Sequence, residues 1–396
     1  MKLTKKILCC LLIVIVTSCN NNEEETYTAI TPSYPAVEAE FGTSVDLNNL
    51  ANYSNQTIPS YITKDNSVLN TISDKGATLG RVLFYDKKMS TTNTVSCSSC
   101  HKQEVAFGDN IVASTGVNGT TGRHSMRLIN TRFANESKFF WDERAASLEI
   151  QTTMPIKDHG EMGFSGANGD LSFSDLIIKL SAVDYYKELF QFVYGSEEIT
   201  ETKIQFALAQ FIRSIQSFDS KYDTGRASAP NDGAPFSNFT AQENNGKTIF
   251  LTPPTFNASG VRTGGGIGCA GCHRAPEFDI DPNTRNNGII GTISGVGIDI
   301  TNTRAPSLRD LVKVDGTTNG QMMHTGVITT LQAAIGHYGT INVAPGNTNL
   351  DPRLMPGGNG QQLNLTAAEV NSVIAFLRTL SGTDVYTNTK WSNPFN

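Results

Sequence analysis

Cys97-Ser98-Ser99-Cys100-His101 is the stretch that decides the fold, and it recurs later in the chain as Cys269-Ala270-Gly271-Cys272-His273. C-x-x-C-H is the attachment signature of c-type haem: two thiols add across the two vinyl groups of one porphyrin, and the next residue turns back to bind iron. A thioredoxin-like dithiol or a Cys/His zinc site are the competing chemistries. A dithiol does not need the histidine, and the two pairs lie far apart with no further ligand pair beside them. With 7 Cys and 6 His in 396 residues, one such motif arises by chance in about two of a thousand chains of this composition, so two together exclude coincidence.

The surroundings of the motif are duplicated. Leu79-Gly80-Arg81-Val82-Leu83-Phe84 precedes the first copy and Asn245-Gly246-Lys247-Thr248-Ile249-Phe250 the second. Gln210-Phe211-Ile212-Arg213-Ser214-Ile215 and Ala375-Phe376-Leu377-Arg378-Thr379-Leu380 follow them. Apolar spacing near 3.6 predicts helices from Thr200 to about Phe218 and from Thr366 to Leu380, each opened by a capping threonine. Helix, haem loop, irregular stretch and closing helix make one cytochrome c unit. The chain therefore reads as a mainly α, loop-rich fold of two cytochrome c-like domains, residues 66–230 and 231–390, each with one covalently attached c-type haem. The Gly/Ser/Ala/Pro-rich stretch from Gly225 to Asn238 reads as the linker between them.

Composition narrows the partners. At 38% hydrophobic residues the chain builds real cores, and 17% charged residues argues against a long coiled coil. A net charge of −6 without a basic stripe argues against nucleic acid. The N-terminus pairs Lys2, Lys5 and Lys6 with an apolar run of about ten residues, too short to span a membrane, which needs about 20. Residues 1–18 read as an export signal. Val16-Thr17-Ser18-Cys19 resembles a bacterial lipobox, so cleavage would leave a lipidated Cys19 holding the protein to a membrane that faces the periplasm or at the cell surface. An ordinary secretory signal with an incidental cysteine is the plainer alternative. Cleavage removes three lysines and no acids, lowering −6 to −9, and residues 19–65 begin as a polar tether, N-N-N-E-E-E over 20–25.

Six further segments carry a resemblance: L-G-R-V-L-F-Y-D (79–86), F-F-W-D-E-R (139–144), E-I-Q-T-T-M-P-I (149–156), E-M-G (161–163), T-R-A-P-S-L-R (303–309) and M-H-T-G (323–326). In order and spacing they resemble the bacterial di-haem cytochrome c peroxidases, including the MauG-type enzymes. The resemblance implies peroxide chemistry at the N-terminal haem, with Trp141 between the haems, Gln151 in the distal pocket and Glu161 as the distal acid. Physically, Glu161 suits a general acid–base, Gln151 a hydrogen-bond donor, and Trp141 an oxidisable ring. Taken alone, a tryptophan in F-F-W is core and a lone glutamate is surface.

The peroxidases place a methionine ligand of the C-terminal haem fourteen residues after the histidine of an H-x-G motif. Counting from His324 reaches Tyr338, where the MauG-type branch has a tyrosine ligand. An anionic phenolate favours Fe(III) and lowers the potential relative to a thioether. His337, Met322 and Met355 stand as competing ligands opposite His273. Relatives that need reductive activation close the first iron with a loop histidine. That position here is Val117, and the loop 114–122 holds no histidine, so the iron at His101 is expected to be open, with His124 and His159 as the alternatives. Ca²⁺ between the domains is a further family feature, but His124 stands where the asparagine ligand belongs, with Asn319 and Gln321 at the backbone-donor positions.

Electrons would enter from a small cytochrome c or cupredoxin, or from a protein or organic substrate. The rival reading is a non-catalytic di-haem electron carrier, which requires both irons to be closed by protein ligands.

Overall fold

The two phenylalanine-ended helices are the framework. In the computed structural model, which describes residues 32–279 and 283–395, the chain is mainly helical and loop-rich. The signal segment, Cys19 and the acidic run lie outside the described residues. The helices are α1 (Pro35–Phe41), α2 (Asp74–Tyr85), α3 (Cys97–Cys100), α4 (Leu148–Thr153), α5 (Phe173–Ser181), α6 (Asp184–Tyr194), α7 (Glu201–Ser214), α8 (Lys221–Ala227), α9 (Ala241–Leu251), α10 (Leu331–Gly339) and α11 (Ala367–Arg378). One small hairpin pairs β1 (Pro254–Phe256) antiparallel with β2 (Arg262–Gly265).

The duplication seen in the sequence is a packing duplication. α2 crosses α7 and α9 crosses α11, each pair meeting at a glycine. A Cβ on Gly80 would lie 2.0 Å from the Ala207 carbonyl oxygen, and one on Gly246 would lie 1.9 Å from that of Ser372, so neither crossing admits a side chain. Beside each crossing sits the same aromatic trio. Phe84 meets Phe211 at 5.2 Å and Phe107 at 6.1 Å; Phe250 meets Phe376 at 5.2 Å and Phe278 at 5.9 Å. Each such pair adds about 0.5–1.5 kcal/mol beyond its buried area.

Thr200 and Thr366 cap α7 and α11 as the sequence indicates, their hydroxyls accepting from Lys203 N and Glu369 N at 3.2 Å. α7 stops at Ser214, short of Phe218. Its continuation is extended because Ile215 O accepts from Asn130 N at 2.9 Å and Ser217 N donates to Asn130 Oδ1 at 2.9 Å. Those bonds to a distant loop outweigh another helical turn.

Two large hydrophobic clusters form, one around Phe41, Phe84, Tyr186 and Phe211, the other around Tyr222, Phe250, Phe278 and Phe376, with a small third one around Ile341, Leu350 and Leu354. The stretch after α8 is less loose than its composition suggests. Phe236 is buried, and the Lys247 ammonium reaches in to the Ala234 carbonyl at 2.6 Å. The C-terminal tail returns to the first cluster, where Trp391 is buried and Tyr85 Oη donates to its carbonyl at 2.7 Å.

Candidate functional site

Each haem motif ends in a loop that fixes its histidine. Lys102 N bonds to Gly108 O at 2.8 Å and Arg274 N to Asp279 O at 3.1 Å, closing the loop after each histidine. Inside those loops His101 Nδ1 meets Phe107 O at 3.0 Å and His273 Nδ1 meets Phe278 O at 3.3 Å. An Nδ1–H donated to a carbonyl leaves Nε2 as the free lone pair, the tautomer that binds iron. Phe107 and Phe278 hold positive φ, 58° and 56°. For bulky residues this is strained backbone, and here it turns both carbonyls onto the imidazoles while the rings anchor in the aromatic trios. Burial pushes both imidazoles below the ordinary histidine range, His273 to about 4, which keeps them neutral. Burial likewise pushes the Cys97 and Cys269 thiols up to about 12, and the four cysteines of the motifs form no disulfide.

A cavity of about 670 Å³ opens beside His101 and one of about 520 Å³ beside His273. Both lie in the size range of cofactor sites, about 300–1,000 Å³. They share a wall made by His124, Met126, Arg127, Trp141 and Arg304. Arg127 and Arg304 each leave a buried Nε without a partner, as does His324 at both ring nitrogens. Arg127 and Arg304, buried in the wall between two largely apolar cavities, keep an Nε donor to spare, although Arg304 also pairs with Asp279 at 3.3 Å. Such donors suit an anionic flat ligand, so a haem with its propionates fits the residues present.

Trp141 is buried in the shared wall, pinned by Nε1 donating to His124 O at 2.6 Å and by its own carbonyl accepting from Arg304 N at 2.7 Å. Gln151, on α4, and Glu161 line the His101 cavity with it. Neither the Gln151 amide nor the Glu161 carboxylate has a side-chain hydrogen bond among the described residues, so both are free to meet a ligand. Burial first, and the neighbouring Asp158 second, push the Glu161 carboxyl up to about 7, against the pull of Arg144. The loop 114–122 runs behind this segment: Val117 N donates to Glu161 O at 2.9 Å and Asn118 N to Gly160 O at 3.2 Å. Val117 is not part of the cavity lining. His159 lies half-exposed outside the cavity, paired with Asp170 at 2.7 Å, whereas His124 lines it with Nδ1 on the carbonyl of Ile111 at 3.0 Å.

Tyr338, on α10, lines the His273 cavity, its phenol pushed well up by burial. Asn287 Nδ2 lies 3.5 Å from its hydroxyl. His337 points elsewhere, its Nε2 on Asn287 O at 3.0 Å, and Met355, which packs with Tyr338 against Ile341, Leu350 and Leu354, does not line the cavity. Met322 does line the cavity, and so does Met323, 4.0 Å from the Tyr338 hydroxyl, which the motif count passed over. Its signal was the Met-Met doublet before His324, where Met323 takes a φ of 68°.

Two C-x-x-C-H loops, each with its histidine held by a backbone carbonyl, stand in duplicated helical frames on either side of a common tryptophan, the arrangement of a di-haem c-type cytochrome. The family model described as "Di-haem cytochrome c peroxidase" matches residues 74–229. The chain is 26% identical over 322 residues to the methylamine utilization protein MauG of Methylophilus methylotrophus, covering 79% of this chain and 84% of that protein. It is 27% identical over 322 residues to the cytochrome c551 peroxidase of Nitrosomonas europaea, covering 77% and 80%. A solved MauG-like protein associated with microbial copper homeostasis superposes with a TM-score of 0.64 at 27% identity, over 86% of this chain and 99% of that one. The diheme peroxidase BthA of Burkholderia thailandensis shares the fold, with a TM-score of 0.57 over 84% and 90%. Over residues 74–229 the chain matches the di-haem cytochrome c peroxidase family, and over most of its length it is similar to MauG and cytochrome c peroxidase proteins; these similarities support an oxidoreductase that acts on peroxide.

Proposed function

We propose that hydrogen peroxide is cleaved in the His101 cavity and that the electrons consumed there pass through the His273 cavity by way of Trp141. The observation that carries this reading is the sharing: His101, Gln151 and Glu161 line one cavity, and Trp141 lines that cavity and the next. Held by His101, the haem would supply an iron to bind peroxide and a ring to hold charge. Glu161, poised near neutrality, takes the proton from the near peroxide oxygen and returns it to the far one, which leaves as water. Gln151 orients the same ligand through its amide N–H. Tyr338, which lines the same cavity as His273, would serve with it as an iron ligand, and a phenolate there would favour the ferric state. The absence of histidine from the 114–122 loop supports an iron that is open without prior reduction.

The tyrosine ligand and open pocket favour oxidation of a protein residue or organic compound over routine exchange with a small cytochrome c or cupredoxin. Residues 66–230 and 231–390 serve as the two haem domains, in keeping with the two large hydrophobic clusters. Ca²⁺ between the domains would draw on backbone carbonyls at Asn319 and Gln321, with His124 in the asparagine's place, and metal analysis of the purified protein checks it. Among the described residues no helix is long and apolar enough to cross a membrane; attachment rests on Cys19 lipidation, checked by labelling with radioactive palmitate.

Substituting Glu161→Gln tests the reading. Peroxide turnover falls by about 10²–10⁴ with both haems still attached. Unchanged turnover returns the protein to the electron-carrier reading.

A further inference from the structure

Tyr185 and Tyr186 lie in the first turn of α6, and both phenols donate to a single oxygen, Asp86 Oδ2, at 2.7 and 2.8 Å. All three residues are buried, and the two rings stand 4.7 Å apart. Peroxide cleavage as derived above uses none of them. On the inner side, Tyr186 shares a core cluster with Phe84, which lines the His101 cavity, and the cavity-lining Cys97 packs against that same cluster. On the outer side, Lys88 Nζ donates to Tyr185 Oη at 3.1 Å. Lys88 then joins Lys87, Lys179, Asn93 and Asp86 around a surface hollow of about 370 Å³.

A phenol bonded to a carboxylate loses an electron and a proton together, the proton crossing one existing hydrogen bond. No charge then has to be created in the buried ring, which would be costly. Two such phenols on one carboxylate, in ring contact, reach from the haem side to the surface, and three ammonium groups around the exit concentrate anions.

We infer that Tyr186, Asp86 and Tyr185 form a proton-coupled relay that carries oxidising equivalents from the His101 cavity to the lysine-lined hollow, where a small anionic one-electron reductant is oxidised. In each passage one electron leaves the phenol towards the haem cavity and its proton moves from Oη to Asp86 Oδ2. The reductant then gives one electron to the phenoxyl, and the proton returns from Asp86 to Oη. Where this route is used in place of the one through Trp141, two passages per peroxide, with two protons from solvent, yield two waters and two reductant molecules each oxidised by one electron. The relay rests on peroxide being consumed in the His101 cavity.

Freeze-quench EPR of the holoprotein, grown with and without ring-deuterated tyrosine, tests it together with steady-state oxidation of ferrocyanide. One equivalent of peroxide should raise a tyrosyl signal that narrows on deuteration. In the Tyr185→Phe/Tyr186→Phe double variant, with native circular dichroism, that signal disappears and ferrocyanide turnover falls severalfold while the haem bands answer peroxide at the parental rate. Lys179→Gln raises KM for ferrocyanide about two- to five-fold, the effect of one partly exposed charge, and leaves that for neutral hydroquinone unchanged. A normal haem response with no tyrosyl signal, or undiminished ferrocyanide turnover in the double variant, overturns the relay alone. No haem response to peroxide overturns the reading of the cavity, and the relay with it.

Discussion

Burial and Asp158 hold the Glu161 carboxyl at about 7, against an ordinary value of 4.5, and that placement sets a pH dependence. The carboxylate must be ionised to take the first proton from peroxide. Peroxide consumption therefore climbs as pH rises through about 7 and levels off above it, and the limb is absent from Glu161→Gln; stopped-flow rates against pH check both. Tyr338→Met makes the opposite kind of change. With Tyr338 as the proposed ligand, the substitution would replace a hard anionic donor by a soft neutral one in the His273 cavity, so the potential of the second haem should rise, read by redox titration. The attachment residues were legible because covalent chemistry fixes their spacing. Glu161 and Gln151 were not legible from spacing and came through resemblance, since a lone glutamate shows its environment only once the 114–122 loop is seen behind it. Met323 was missed because contact with Tyr338 depends on a left-handed backbone turn that no count along the chain reveals.

At the scale of elements, one design is used twice: a glycine crossing, an aromatic trio and a carbonyl that orients a histidine. Gly80→Ala and Gly246→Ala each push a methyl into a carbonyl of the partner helix. Each should cost about 1–3 kcal/mol in denaturant melts of the holoprotein, because neither backbone can retreat without disturbing its trio. The echoes L-G-R-V-L-F and N-G-K-T-I-F announced both crossings in the sequence, and the capping threonines announced the helix starts. The end of α7 was hidden, since Asn130, far away in sequence, decides it. Phe107 and Phe278 were hidden too: nothing in A-F-G-D or P-E-F-D shows that a phenylalanine sits at positive φ to aim a carbonyl.

Across the whole molecule, the wall of Trp141, Arg127, Arg304 and His124 joins the two cavities. Trp141→Phe keeps the bulk but removes the easily oxidised indole and its bond to His124 O. Both haems stay attached, and electron transfer between them slows, seen as reduction of the second haem running ahead of the first in stopped-flow spectra. The claim on which the rest depends is that the iron at His101 is open and reacts with peroxide, while the iron at His273 is closed by Tyr338. EPR and visible spectra of the all-ferric holoprotein, taken before and after one equivalent of peroxide, test it most directly. The account predicts one high-spin haem and one low-spin tyrosinate haem at the start, and a change at the high-spin site on adding peroxide. Two six-coordinate low-spin haems that ignore peroxide would contradict it.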